Sequence, residues 1–407
     1  LTYTNLKSCI LREEYFGGIL YSPEQNTVIA INNNLFDVLL LIKKSKSLLE
    51  ALNKLRNTYN LKHDEAKKTF EDSLFLITKA LNSKDYLTNN NSPWDNVFNF
   101  NQRIKLSAPL MLIIELTSRC NQNCNFCYLG NEILNNIDFP SELLYSIIRQ
   151  AKEMNVPKIQ LMGGEPLCYP EFMNLLEYIS NNHIYFSFTT NGLLLNNYIS
   201  SLTKLKWLLP IQISMHGNRD DLIKYNISKD SYNHIVNNCL LLSKHHIPFG
   251  IKIVLTKYNY LNLFSLLKTI NDIGAKTVTL LHLLPIGKGK SVFKRAAFNK
   301  QDILFIIDQI NLAKNKFNSL YIDYRSFLNI YFPREPKSIL DHFLNCPAGN
   351  LDLRIRYDGK IIQCSSLRKP LNDLNVLSLK NIWSSISDKV YPCPYNNSEN
   401  FKCIKNY

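Results

Sequence analysis

The chain has 407 residues, 45% hydrophobic and 20% charged, with 47 Lys/Arg against 33 Asp/Glu. That composition can bury a core and excludes disorder, collagen and coiled coil as the main architecture. The +14 balance favours acidic partners without choosing among nucleic acid, an anionic cofactor and an acidic peptide.

Residues 1–87 come first. Apolar runs at Cys9–Leu11, Gly18–Tyr21 and Val28–Ile31 predict strands, and the spacing over Leu35–Lys43, Leu48–Tyr59 and Asp64–Leu81 predicts three helices. Strands with three short helices suggest a winged-helix domain. Residues 88–104 are polar and read as a linker. Across residues 105–300, strands are expected at Met111–Leu116, Lys158–Met162, Tyr185–Thr189, Ile211–Met215, Gly250–Leu255 and Thr277–Leu284. Helical patterns separate them at Ser141–Met154, Tyr169–Ile179, Leu194–Lys204, Tyr232–Ser243 and Leu261–Ile273. Repeated strand–helix units mean an α/β fold with a parallel sheet, here a partial (β/α)6 TIM-like barrel. Its chemistry belongs at the C-terminal ends of the strands. Residues 301–345 form a bridging helical region opened by a helix at Gln301–Lys314. Residues 346–407 form a small cysteine-rich α+β domain, with one hairpin turning at Asp358–Gly359. No run of 18 apolar residues and no signal peptide is read, so a cytoplasmic protein without a membrane partner is expected.

Ten cysteines fall into groups, and clustering of that kind reads as metal ligation. Cys120-x3-Cys124-x2-Cys127 follows the first barrel strand. Iron–sulfur clusters sit on such short thiolate turns, and three thiolates leave one iron of a [4Fe–4S] cube for another ligand. Structural zinc, which takes four closed ligands, is the alternative. With Phe126 before the third cysteine, the motif resembles the signature of the radical S-adenosylmethionine (SAM) enzymes. The resemblance implies a [4Fe–4S] cluster on Cys120, Cys124 and Cys127 with SAM on its open iron. It also implies cofactor contacts from Gly163, Gly164, Glu165 and Pro166, from Thr190 and Asn191, and from Ser214, Asn259, Pro285 and Gly287. His216 and Arg219 are candidate partners of the methionine carboxylate. Bland readings stand beside these: a βα turn, a strand hydroxyl, an ordinary loop histidine.

Cys346-x12-Gly359-x4-Cys364, followed by Cys393 and Cys403, resembles the SPASM and twitch extensions of peptide-modifying radical enzymes. Seven cysteines make the full SPASM pattern, so the four here imply at least one auxiliary [4Fe–4S] cluster. Zinc on the same ligands is the alternative. Cys9 and Cys239 read as structural. Cys168 is a spare thiol, catalytic only if a hydrogen donor is needed.

Residues 1–87 resemble the precursor-recognition element of ribosomal-peptide maturases, similar to the small carrier protein of pyrroloquinoline quinone assembly. The resemblance implies a leader peptide added to a strand near residues 27–31 and packed on the helix near 64–81. Twelve Lys/Arg against ten Asp/Glu in this segment argue against nucleic acid. The expected activity is an oxidative cross-link (carbon–carbon, ether or thioether) in a ribosomal precursor peptide, with flavodoxin or ferredoxin as electron donor. The alternatives are peptide epimerisation, sulfatase maturation, and a non-catalytic zinc or DNA-binding protein.

Overall fold

The computed structural model describes residues 2–25, 27–82, 106–324, 327, 349, 351–365 and 368–386. The expected linker and Cys346, Cys393 and Cys403 lie outside them. The chain divides into two compact units with a boundary between Ser107 and Ala108. Among the described residues no helix is long and apolar enough to cross a membrane.

The first unit holds an antiparallel meander of β1 (Ile10–Glu14), β2 (Gly17–Ser22) and β3 (Thr27–Ile31), in that order. Helices Asn33–Lys43, Leu48–Tyr59 and His63–Asn82 follow. Asn32 and Ser47 cap the first two, each accepting a backbone N–H three residues on. Leu20, Ile31, Leu39, Ile42, Leu55 and Ile77 form the core of this unit, all at 0% exposure. Gly18 lets the Phe36 ring lie directly on β2, where any Cβ would collide with it. β1 runs three residues past the apolar run that predicts it. Arg12 and Glu14 share one face of the strand and pair at 2.8 Å while buried, so charge does not end it. A short helix at Tyr3–Ser8, capped by Thr2, was not expected.

Among the described residues the second unit is built on ten strands. β4 (Met111–Glu115), β5 (Lys158–Met162), β6 (Tyr185–Thr190), β7 (Ile211–Ser214), β8 (Phe249–Leu255) and β9 (Thr277–His282) are parallel neighbours in chain order. They are the six strands read from the sequence. The sheet, however, does not stop at six. β10 (Tyr321–Asp323) extends it beside β9 in parallel. On the other edge β11 (Asp352–Ile355) pairs in parallel with β4, and β12 (Lys360–Ile362) and β13 (Pro370–Asp373) add antiparallel strands. The C-terminal hairpin therefore continues the central sheet and does not stand apart. It covers the β4 edge, whose unpaired backbone groups would otherwise be open.

Helices Ser141–Glu153, Phe172–Asn181, Lys229–Lys244 and Leu263–Asp272 fill the crossovers. The helix predicted over Leu194–Lys204 is broken into a 3-10 turn at Leu195–Asn197 and one α-turn at Ile199–Leu202. Asn196 and Asn197 compete for backbone partners and weaken helix there. A helix at Gly289–Ala296 was not expected.

Candidate active site

The cysteine loop leaves β4 and is tied down at its start. Ser118 donates its N–H to Ile137 O and its hydroxyl accepts Ile137 N–H. Thr117 Oγ1 donates to Asp138 Oδ1 at 2.7 Å, and Arg119 pairs with the same carboxylate. Two glycine segments then grip the loop backbone. Gly164 N–H donates to Thr117 O at 2.8 Å and Glu165 N–H to Arg119 O at 2.7 Å. Gly163 sits at φ +149°, and a Cβ there would lie 2.5 Å from Thr117 O. From the other side Lys288 N–H donates to Cys127 O at 2.9 Å. Gly287, at φ +52°, presses on the same carbonyl, with no space for a Cβ. Glycines at a sheet mouth permit close approach to a ligand; the backbone these glycines approach most closely is that of the cysteine loop.

Cys120, Cys124 and Cys127 are half-buried free thiols. Burial pushes Cys120 and Cys124 up to about 12 and Cys127 up as well, and each of the first two is raised further by its neighbouring cysteines. Lys288 and Arg368 act in the opposite sense on Cys127. Among the described residues no three His, Cys, Asp or Glu side chains converge tightly enough for a single metal ion. A four-iron cube places its thiolates on separate irons, so it does not need such convergence, whereas one zinc does. Arg119 Nε and Gln122 Nε2 are buried on the loop without a partner. Three thiols flanked by unsatisfied N–H donors fit an anionic thiolate–sulfide cluster, whose sulfurs accept such bonds.

Phe126 packs edge-on against His216 and Tyr225, at centroid distances of 4.8 and 5.0 Å. Tyr258 joins Tyr225 at 5.7 Å, and Cys124 leans on the same apolar group. His216 Nδ1 accepts Val254 N–H at 3.1 Å, and burial pushes its pKa down to about 4. That burial disfavours the imidazolium form. Arg219 is exposed at the start of the short helix Arg219–Lys224.

Glu165 gathers the next segment. It accepts the Thr190 hydroxyl at 2.6 Å, Asn191 N–H at 2.7 Å and Leu167 N–H at 3.2 Å. Burial pushes its carboxyl up to about 7 against the pull of those donors. Pro166 begins the 3-10 turn that ends at Cys168, and Asn191 reaches across to Asn121 Oδ1 at 2.7 Å. Ser214 ends β7. Asn259 is 1% exposed; its amide donates to His216 O and Val254 O and accepts Thr256 N–H, so it positions those loops. Pro285 precedes the gripping Gly287. Cys168 is half-buried beside Glu165, within Coulombic range of Cys120. Of the C-terminal cysteines only Cys364 is described, half-buried after β12.

One network was not anticipated. Arg368 donates its N–H to Cys364 O. Its guanidinium bonds both oxygens of Glu115 at 2.8 and 3.0 Å and both oxygens of Glu132 at 2.6 Å. Tyr357 also donates to Glu132, and Tyr128, next to Cys127, donates to Glu115 at 3.3 Å. Arg368 thus joins the segment after β12 to the end of β4 across 253 residues of sequence, and no local pattern marks it.

The model of the Radical SAM superfamily matches residues 114–273. A probable GTP 3′,8-cyclase of Saccharolobus islandicus is 26% identical over 205 residues, 50% of this chain and 66% of that protein. The chain thus spans just under two thirds of the length of such relatives. An uncharacterized protein of Methanocaldococcus jannaschii is 29% identical over 67% of this chain and 92% of its own length. The crystal structures of Streptococcus suis SuiB, one of them bound to the precursor peptide SuiA, share the fold at a TM-score of 0.67 and 18% identity, covering 98% of this chain and 90% of SuiB. Residues 114–273, which carry the cysteine loop and the Gly163–Gly164 grip, thus match the Radical SAM superfamily.

Proposed function

We propose that this enzyme modifies a ribosomally made peptide, installing an oxidative cross-link. The likeness to SuiB over both units is the observation that supports a peptide substrate. In this reading Cys120, Cys124 and Cys127 hold a [4Fe–4S] cluster. With SAM bound, that cluster supplies a one-electron reductive cleavage that lets a substrate hydrogen atom be abstracted. The chain's own residues place the partners. The glycine grips hold the thiols at the sheet mouth, and Glu165 fixes the Thr190–Asn191 turn beside them. The Phe126, Tyr225 and Tyr258 rings wall one side against water. Cys364 and its companions in residues 346–407 would hold an auxiliary cluster that takes up the second electron, with flavodoxin or ferredoxin as the outside donor.

The first unit would carry the leader. β3 is an edge strand among the described residues, and helix His63–Asn82 packs beside it and exposes Phe75 and Leu76. An added peptide strand gains backbone bonds from β3 and side-chain pockets from the helix. The matches to GTP 3′,8-cyclases favour a second reading, a small-molecule substrate.

The test is anaerobic turnover of reconstituted full chain with the short peptide encoded beside its gene, and separately with GTP. A peptide that loses two hydrogen atoms while 5′-deoxyadenosine accumulates is the expected result. An unchanged mass in ordinary water with deuterium uptake in heavy water would mean epimerisation. Turnover of GTP alone would replace the peptide reading.

A further inference from the structure

The three thiols of the cysteine loop are not served alike. The Gln122 backbone N–H acts on the Cys120 thiol, and those of Leu129 and Gly130 act on Cys127, each favouring the thiolate. Cys124 instead leans on the apolar cluster of Leu222, Tyr225 and Ile227. The Tyr225 hydroxyl is spent on Thr256. Lys288 acts on Cys124 through space, but its ammonium is bonded to Asn123 Oδ1. The side chain that meets the Cys124 sulfur is Gln122: the thiol donates to Gln122 Oε1 at 3.7 Å. The other end of that amide, Gln122 Nε2, is buried and bonded to nothing.

This arrangement suits a thiol and does not suit a ligand of iron. Iron ligation replaces the S–H by an S–Fe bond, and the sulfur can then only accept. Gln122 Oε1 would face it lone pair to lone pair, while the N–H groups of Nε2 stay buried without an acceptor, which is costly. The last torsion of a glutamine side chain is broad and two-fold, and its oxygen and nitrogen ends are alike in size. A half-turn therefore brings Nε2 to the sulfur and Oε1 away from it. One motion removes the repulsion and satisfies the orphaned donor.

We propose that Gln122 is a positioning residue for the iron-bound loop: its amide accepts from the Cys124 thiol and, turned over, donates to the Cys124 sulfur once that sulfur binds iron. Hydrogen bonds to cluster sulfurs help set the reduction potential, and a donor favours the more negative, reduced form. Gln122 thus serves two thiols, Cys120 through its backbone and Cys124 through its side chain. The inference rests on the reading of Cys120, Cys124 and Cys127 as ligands of a [4Fe–4S] cluster, and not on the identity of the substrate.

The experiment is a redox titration followed by EPR on full-length protein reconstituted with iron and sulfide, without SAM or peptide. The signal that Cys124→Ala lacks belongs to this loop. Gln122→Met, of similar length and without a donor, should keep its iron and sulfide. Its reduction equilibrium constant should fall about tenfold, which is about 59 mV for one electron. Gln122→Lys, which restores a donor, should titrate at or above the wild-type midpoint, a rescue that a merely structural role would not give. Gln150→Met, which loses the amide that accepts Leu379 N–H, should leave the midpoint unchanged. Pulsed EPR of wild type labelled with 15N in its glutamine amides should show a nitrogen coupling that Gln122→Met lacks. The proposal is overturned if Gln122→Met titrates as the wild type does, if it loses iron, or if the wild type shows no such coupling. Wild-type protein that binds no iron would overturn the cluster reading and this proposal with it, whereas a peptide that is never turned over touches neither.

Discussion

The two faces of the central sheet follow opposite rules. On the outer face Leu112, Ile159, Phe186, Ile213, Ile251 and Val278 are all at 0% exposure beneath the crossover helices. On the inner face the same strands mix Lys158, Gln160, Ser187, Gln212 and Lys252 with Met111, Ile113 and Tyr185. Residues one step apart, such as Ile251 and Lys252, therefore do different work. The outer face holds the sheet together by apolar burial. The inner face and the strand-end loops give up some of that stability to place charged and polar groups, which teaches where to expect sites and where to expect scaffold.

The largest effect should come from the strand-end loops. Cys120→Ala, Cys124→Ala or Cys127→Ala is expected to abolish 5′-deoxyadenosine formation and the corresponding iron and sulfide content, while leaving the far-UV circular dichroism unchanged. Retention of full iron would break the assignment of those loops. Next is Arg368→Gln, which leaves Glu115 and Glu132 facing each other without a cation. Truncating one partner of a buried charge network costs about 3–5 kcal/mol, and urea denaturation should show it. On the outer face Ile251→Ala should cost about 2–5 kcal/mol by opening a cavity. If that variant proved as mild as a surface substitution, the contrast between the faces would be wrong. Gly164→Ala forces a methyl into the Arg119 carbonyl and should cost about 1–3 kcal/mol, together with slower cluster assembly.

The smallest effect concerns pH. Glu165 has its carboxyl raised from 4.5 to about 7 by burial. Its contribution to stability is fully present below pH 4.5 and is lost as pH rises through about 7, because the folded state must then hold a buried charge. Glu165→Gln should flatten that part of the stability profile in thermal melts. It should also lower stability slightly throughout, since an amide nitrogen cannot accept Asn191 N–H.

Strands β4 to β9 were legible because each is a short apolar run between helical patterns, and that alternation follows from steric period alone. The cysteine loop was legible for a similar reason: its ligands lie within eight residues, so spacing carries the chemistry. Charged strand residues were harder to read. Arg12 and Glu14 hid the length of β1 because their pairing depends on being two apart on one buried face. The extension of the sheet by β10 and β11 depends on pairing between segments more than 200 residues apart in the case of β4 and β11.

The amino-acid sequence by itself determined the parallel α/β framework and the three-thiol loop at its mouth, because both are encoded in short-range period and spacing. Only the tertiary structure decided that Gly163, Gly164 and Gly287 grip the loop backbone, that His216 is buried against Val254 N–H and Asn259 fully bonded, and that Arg368 ties the segment after β12 to Glu115 and Glu132. Hydrogen bonds and Coulomb forces act over a few ångströms of space regardless of separation along the chain, so their partners exist only once the sheet has closed around them.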